Sequence, residues 1–276
     1  MSANYSIFLN RLFISGFIAI GILPFIGINQ IYAKSRATLE YPLARTYPAA
    51  KGKVDVDLVK FYEQELQVAR KSLSKDLTPA KRQMELSLKM QKKNQEFLSE
   101  LKEWGTNSSM TLVQAQNILN SIPKHPIIGN PGEKKYDPNH EIGYCFGRAA
   151  YVHLELLRQG VPAKSIGKIF VLGSLYREYR GWDFHLATIV KSSDGEWLVI
   201  DNLVEEVSLV PEWMKKISKW DRDSRNPSLR FYFTDPVKFL PLAGPYSKES
   251  LNNPIYNNYF IDLLKWFRES ADKPST

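Results

Sequence analysis

Three short runs typical of β-strands limit the fold of this chain more than any other feature. The runs are KIFVLGSL, DFHLATIV and EWLVID, and they follow one another between residues 168 and 201. The segment KSSDGE separates the last two runs and contains Asp194–Gly195, a pair typical of a tight hairpin turn. Strands joined by short turns pair antiparallel. We therefore predict an antiparallel sheet, to which the later aromatic run LRFYFT adds a strand.

A helix is predicted immediately before this sheet, from Cys145 to Gln159. Ala149, Val152 and Leu156 recur at helical spacing, and Gly160–Val161–Pro162 ends the pattern. Further helical patterns occupy the chain before residue 122 and near its C-terminus, whereas the Pro-, Gly- and Asn-rich segment 123–144 is predicted to be a long loop. A helix packed on an antiparallel sheet, preceded by an α-helical region, is an α+β fold.

The longest helical pattern in the N-terminal part is LTPAKRQMELSLKMQKKNQEFLSELKEWG. Thr78 is predicted to be its N-cap, Pro79 its first residue and Gly105 the residue just past its end. The predicted buried stripe consists of apolar residues at Met84, Leu88, Leu98, Leu101 and Trp104. Its lysines and arginine between residues 81 and 93 are predicted to form the solvated face, so no nucleic-acid partner is expected.

The first 33 residues have the order of a secretory signal. Arg11 precedes a mostly apolar run of 17 residues, Leu12 to Ile28, and the small residue Ala33 follows. A membrane-spanning helix needs about 20 apolar residues, so this segment is either a cleaved signal or a retained anchor. In both cases the remaining chain is predicted to be secreted or periplasmic, with a membrane partner only if the segment stays uncleaved.

Composition is that of a folded globular protein. Of the 276 residues, 43% are hydrophobic and 24% are charged, which is enough apolar material for a core. The net charge of +8 permits acidic partners but does not identify one.

Cys145 is the only cysteine in the chain. An exported protein with one cysteine has no internal disulfide, so Cys145 is a free thiol in an oxidising compartment. Its predicted position in the first turn of a helix favours the thiolate, because unpaired N–H groups and the helix dipole stabilise negative charge there. The alternative is a buried apolar side chain, since cysteine is among the residues most often buried.

A nucleophilic cysteine needs a base and a third group that orients the base. His185 lies in the middle of the second strand run and Asp201 ends the third. If the hairpin is centred on Ser193, the two residues are directly opposed on one face of the sheet, a few ångströms apart. Asp183 lies one pair further along, and Asn202 would take the place of Asp201 if the register slipped by one residue.

No cofactor or metal site is expected from the sequence. His125 and His140 lie in the Pro-rich segment, and His153 lies two turns along the predicted cysteine helix. No Cys and His residues are clustered at metal-ligand spacing, and no phosphate-binding glycine motif is present.

The segments GYCFGRA, WDFHLATIV and GEWLVIDNLVEEVSLVPEWMKKI together resemble the bacterial protein-glutamine deamidases, also called protein glutaminases. The likeness covers about residues 136–217. It rests on Cys-x-x-Arg-Ala at a helix start, Trp-x-x-His-x-Ala in a strand, and an aspartate followed by Pro211 and Trp213. Phe146 and Asn202 stand where this family usually has His and Pro. The resemblance implies a papain- and transglutaminase-like core.

The resemblance also implies roles and a reaction. Cys145 would be the nucleophile, His185 the base and Asp201 its orienting partner in a Cys-His-Asp triad. The enzyme would convert glutamine side chains of proteins or peptides to glutamate, with release of ammonia and a thioester intermediate. Trp182 is either a wall of the substrate channel or a core residue.

The domain boundaries follow from these assignments. Residues 1–33 are the signal or anchor, 34–122 a linker and helical N-terminal region, and 123–276 the catalytic cysteine-hydrolase-like domain. Because the deamidases are made with a pro-region that covers the active site, 34–122 is either a pro-region or a fixed helical domain. A transglutaminase or cysteine protease of the same fold, and a non-catalytic exported binding protein, remain alternative functions.

Overall fold

The computed structural model describes residues 57–139, 142–242, 244 and 247–271. The predicted signal segment and His140 lie outside these residues. The described helices are α1 Leu58–Lys71, α2 Pro79–Lys102, α3 Leu112–Ser121, α4 Asn130–Tyr136, α5 Cys145–Arg158, α6 Val210–Ser218, α7 Lys248–Leu251 and α8 Tyr259–Ala271. The described strands are β1 Ile166–Arg177, β2 Arg180–Lys191, β3 Trp197–Ile200, β4 Ser208–Leu209 and β5 Arg230–Thr234.

The strands form one sheet in the order β4-β3-β2-β1-β5, and all neighbours are antiparallel. The predicted α+β class is therefore confirmed. The two central strands have 12 residues each and extend beyond their outer neighbours. Because β3 has only four residues, it pairs with β2 only from Thr188 to Lys191. The sequence analysis missed β4, whose two residues are too few for a periodic pattern.

Helices cover both faces of the sheet. On one face, residues of α3, α5 and α8 pack against the side chains of Phe170, Leu186 and Val190. On the other face, α2 and α6 pack against Val171, Ala187 and their neighbours. Since both faces are buried, β1 and β2 are apolar over long continuous stretches rather than strictly alternating.

Helix α5 begins at Cys145 and ends at Arg158, within one residue of the prediction. Two buried side chains of the sheet fasten it one turn after its start. The Lys168 ammonium donates to the carbonyl oxygen of Ala149 at 2.6 Å, and the Thr188 hydroxyl donates to the same oxygen at 2.7 Å. These bonds fix the first turns of α5 on the central strands.

Helix α2 has the predicted start, but its buried face differs from the predicted stripe. Thr78 is the N-cap and Pro79 the first residue, as predicted. Leu101 is buried, whereas Met84 and Leu88 are 49% and 56% exposed. The prediction was wrong there because the buried face includes a polar residue. The Asn94 amide donates to the carbonyl of Leu229 at 2.9 Å, which turns a different side of the helix toward β5.

Segment 123–144 was predicted to be a long loop, and this prediction was wrong in part. It contains the short helix α4, which has a proline in its first turn. A backbone N–H at that position has no acceptor within the helix, so the N–H that proline lacks is not needed there. The proline and glycine near the start of this helix therefore gave the segment a composition typical of a loop.

The helical segment before residue 122 is part of the same hydrophobic core as the sheet. The Trp197 indole donates to the carbonyl of Leu101 at 3.0 Å, and the Gln116 amide oxygen accepts from the N–H of Val207 at 2.8 Å. Phe97 of α2 lies in the apolar cluster on one sheet face, and Ile118 of α3 lies in the cluster on the other.

Candidate active site

Cys145 lies at the first position of α5 and is partly exposed. A buried carboxylate holds the chain just before it: Asp137 accepts from the N–H of Gly143 at 2.7 Å and of Ile142 at 3.1 Å. Those two amides are thus engaged. The amides of the first turn of α5 have no intrahelical acceptor and remain suited to stabilise a developing oxyanion.

Tyr144 precedes the cysteine in a left-handed conformation, with φ 44° and ψ 24°. Such a conformation is uncommon for a bulky residue and requires support from its surroundings. The buried Tyr144 ring stacks on Tyr259, with centroids 4.4 Å apart. Its hydroxyl donates toward the carbonyl oxygens of Tyr136 at 3.0 Å and Tyr256 at 3.2 Å. The Tyr144 side chain therefore fixes the backbone that presents Cys145.

His185 is buried, and its Nε2 atom lies 2.8 Å from Oδ2 of Asp201. Burial alone would lower the pKa of His185, but the charge and hydrogen bond of Asp201, with the adjacent Cys145 thiol, raise it from 6.5 to about 10. No described residue forms a hydrogen bond of standard geometry with Nδ1, the ring nitrogen that Asp201 leaves free. That nitrogen is therefore open to exchange a proton with the thiol.

Asp201 is buried and accepts from donors on three elements or loops. His185 and the indole of Trp213 each lie 2.8 Å from Oδ2, and the N–H of Leu203 donates to Oδ1 at 3.1 Å. Burial alone would raise the pKa of Asp201, but these donors and the charge of His185 lower it below 3.8. The carboxylate is therefore held ionised beside the imidazole.

The register of the hairpin differs from the predicted one. Thr188 pairs with Ile200, so extension of the ladder places Asp201 opposite Ala187 and not opposite His185. The prediction of directly opposed partners was therefore wrong by two residues along β2. His185 and Ala187 share a face because side chains alternate along a strand. Asp201 consequently still reaches the imidazole, as a diagonal neighbour.

The turn explains this register. The N–H of Ser192 donates to the carbonyl of Glu196 at 2.8 Å, which leaves Ser193, Asp194 and Gly195 in the loop. Gly195 has φ +83°, the left-handed conformation typical of a three-residue hairpin loop. The pairing is therefore centred on Asp194 instead of Ser193.

The end of β3 allows Cys145 and His185, which belong to opposite faces of the sheet, to approach each other. Helix α5 packs on the sheet face that carries Thr188, whereas the ring of His185 faces Trp213 on the opposite side. Since β3 ends at Ile200, β2 has no strand on its β3 side at His185, while β1 pairs with it there through Val171. The electrostatic interaction between the imidazole and the Cys145 thiol, which helps to raise the pKa of His185, occurs at this edge of β2.

A small, partly open cavity adjoins Cys145 at the same place. Its lining includes the apolar side chains of Ile122 and Val152 and the polar groups of Arg148 and Asn202. Asn202, the predicted substitute for Asp201, thus lines the same cavity as Cys145, and the carboxylate of Asp201 bonds His185.

Aromatic rings enclose His185 on the side away from α5. The ring centroids of Trp213 and Trp220 lie 6.1 and 6.3 Å from that of the imidazole. Trp182 packs edge-on against Trp220 at 6.4 Å and is partly exposed. It is therefore one ring removed from the base and does not line the cavity beside Cys145.

Sequence reasoning missed several residues of this site. Trp213 and Arg148 were present in the motifs that carry the resemblance, but no contact was assigned to them. No sequence pattern indicated a role for Asp137, because its hydrogen bonds to the N–H groups of residues 142 and 143 depend on how the loop folds back. Asp183 is exposed, and the structure pairs His185 with Asp201 instead.

The two other described histidines lie outside the site. His125 is buried, accepts from the N–H of Ile127 at 3.1 Å, and has a pKa that burial lowers to about 4. Burial also holds the pKa of His153 well below 6.5. Among the residues that the structure describes, no three His, Cys, Asp or Glu side chains are grouped to hold a metal ion.

Comparison with other proteins does not assign the chain to a group: no family model, curated protein or solved structure matches it. Across the described ranges, none of the helices combines the length and apolar character needed to cross a membrane.

Proposed function

We propose that this protein is an exported cysteine-dependent amide hydrolase that deamidates glutamine side chains of proteins or peptides. One observation carries the proposal: a partly exposed Cys145 at a helix start lies beside a buried His185, which is bonded to Asp201 at 2.8 Å. An accessible nucleophile, a base with a free nitrogen, and a buried orienting carboxylate are the groups needed for acyl transfer through a thioester.

The first half of the reaction releases ammonia. The thiol proton of Cys145 passes to Nδ1 of His185, a state that the raised pKa of the imidazole favours, and the sulfur attacks the carboxamide carbon of glutamine. Amides in the first turn of α5 stabilise the oxyanion. The C–N bond then breaks, and the departing ammonia takes the proton from His185.

The second half restores the enzyme. His185 accepts a proton from a water molecule, whose oxygen attacks the thioester carbon. The C–S bond breaks, the sulfur regains the proton from His185, and glutamate is released. Throughout, Asp201 stays ionised and keeps Nε2 oriented toward itself.

The fold is compatible with this assignment. A nucleophile helix packed on an antiparallel sheet, followed by a strand histidine and an aspartate after the next strand, has the order of a papain- or transglutaminase-like core. The choice of glutamine rests on the resemblance of GYCFGRA and its companion segments to the protein-glutamine deamidases.

The test follows ammonia and substrate mass in one reaction with a glutamine-containing protein. We expect ammonia and a gain of about 1 Da per modified site, because an amide becomes an acid. Cys145→Ser should abolish both signals. Asp201→Asn should lower the rate at least about 100-fold through loss of the oriented base. The matched control Asp183→Asn changes an exposed carboxylate of β2, the strand that carries His185, and should leave the rate unchanged.

Other outcomes would replace the proposal. Incorporation of an added primary amine, faster than hydrolysis, would indicate a transglutaminase, and cleavage of the polypeptide would indicate a protease. Alkylation by iodoacetamide reports on Cys145 alone, because the chain has one cysteine. If the thiol resists alkylation until the protein unfolds, the site is not catalytic.

A further inference from the structure

Trp213 contacts the same carboxylate oxygen as the catalytic base. Its indole N–H donates to Oδ2 of Asp201 at 2.8 Å, the distance at which His185 Nε2 also lies from that oxygen. Trp213 is completely buried in α6, so water has no access to take over this bond. A single oxygen is thus shared between an aromatic donor and the imidazole.

We propose that Trp213 is a positioning residue that, by sharing Oδ2 of Asp201 with His185, limits how tightly the carboxylate holds the protonated imidazole. The inference deepens the proposed function and rests on it, because it concerns the base of that reaction. Nothing in the sequence assigns Trp213 this task.

The strength of the bond between the Trp213 indole and Asp201 depends on the protonation state of His185. When the imidazole is neutral, Asp201 carries an uncompensated charge and binds the indole N–H strongly. When the imidazole is protonated, it neutralises much of that charge and weakens the bond to the indole. Trp213 therefore stabilises the neutral state more, and it eases release of the proton from His185.

A weaker hold of Asp201 on the protonated imidazole favours the proposed reaction. A buried carboxylate with no other donor would hold the imidazolium so firmly that proton transfer to ammonia or from water would slow. Among the described groups that face His185, Asp201 and Cys145 are the titratable ones. Trp213 and Trp220 contribute uncharged rings. Two neutral donors bind Asp201: the N–H of Leu203 on Oδ1 and the indole N–H of Trp213 on Oδ2, the oxygen that His185 also uses. Of the two, the indole therefore competes directly with the imidazole.

The experiment compares Trp213→Phe with Trp197→Phe. Trp197 is a fitting control because it is also buried and donates its indole N–H to a carbonyl, that of Leu101 at 3.0 Å, away from Asp201. Imidazole ¹⁵N resonances give the pKa of His185 in each protein. We expect Trp213→Phe to raise this pKa by about half a unit or more. Trp197→Phe should leave it unchanged.

A lowered or unchanged pKa in Trp213→Phe would overturn the proposal. If that variant does not fold, the wild-type protein provides the test. The Trp213 indole N–H resonance should move downfield as His185 loses its proton, because the bond to Asp201 strengthens, and that of Trp197 should stay in place. A Trp213 resonance that ignores the titration would also overturn the proposal.

These readouts separate the two hypotheses. They depend on protonation of His185 and not on turnover, so they stand even if the wild-type protein releases no ammonia. If ammonia is released, a lower kcat with little change in KM is expected for Trp213→Phe, because proton transfer and not substrate binding is impaired.

Discussion

His185 and Asp201 carry opposite charges in the core, and this makes their contribution to stability depend on pH. The pKa of His185 is raised from 6.5 to about 10, so the folded state binds this proton more tightly than the unfolded chain. Its stabilising contribution is full below about pH 6.5 and is lost as the pH rises through 10. The pKa of Asp201 is lowered from 3.8, so its contribution is lost as the pH falls below that value.

The first prediction at this scale concerns His185→Gln. The free energy of unfolding of the wild type should exceed that of the variant most between about pH 4 and 6.5, and the difference should shrink toward pH 10. Chemical denaturation at a series of pH values measures it. Trp197→Phe removes a buried hydrogen bond whose donor and acceptor do not titrate, so its loss in free energy of unfolding should be the same at every pH. An equally constant loss for His185→Gln would contradict the assigned charge pair.

At the scale of elements, helices α5 and α2 are each fixed by contacts with the sheet, one on each face. Lys168 and Thr188 bind the carbonyl of Ala149 in α5 from the central strands. Leu101, near the end of α2, is buried against the opposite face. The site therefore depends on elements that are far apart in the sequence.

Helix α2 offers a matched pair of leucines. Leu101→Ala should lower the free energy of unfolding by about 2–5 kcal/mol, because it leaves a cavity in the core. Leu88→Ala removes the same atoms from a side chain that is 56% exposed and should change it by no more than about 0.5 kcal/mol. Denaturant titration compares them. Equal losses would show that the buried face of α2 has been assigned wrongly.

At the scale of the whole molecule, the question is whether the segment before Pro123 is removable. Helices α1 to α3 share their apolar contacts with both faces of the sheet, and Ile122 lines the cavity beside Cys145. We therefore favour a fixed helical region over a pro-region that is cut away.

A chain that starts at Pro123 tests this interpretation. We expect it to show no cooperative thermal transition, because removal of residues 1–122 exposes both apolar clusters at once. Calorimetry and near-ultraviolet circular dichroism against the full chain measure the effect. A folded, active fragment would establish the segment as a pro-region.

Local chemistry made part of this structure predictable. The start of α5 at Cys145, the cap at Thr78 and the antiparallel hairpin around Asp194 depend on neighbouring residues, so sequence patterns contain them. The alternation of side chains also placed His185 and Asp201 on one face, and the register difference of two residues did not change that parity. The candidate nucleophile, base and carboxylate were thus identifiable before the fold was known.

Tertiary structure alone decided which groups support them. The bond from Trp213 to Asp201, the hold of Asp137 on Gly143, and the buried side of α2 at Asn94 each join segments that no periodicity relates. The exact register depended on whether Gly195 adopted a left-handed conformation in the turn. Sequence determines what each segment tends to form, because propensity and capping act over a few residues. Contacts between distant segments depend on how the whole core packs, and that packing sets the environment of the base.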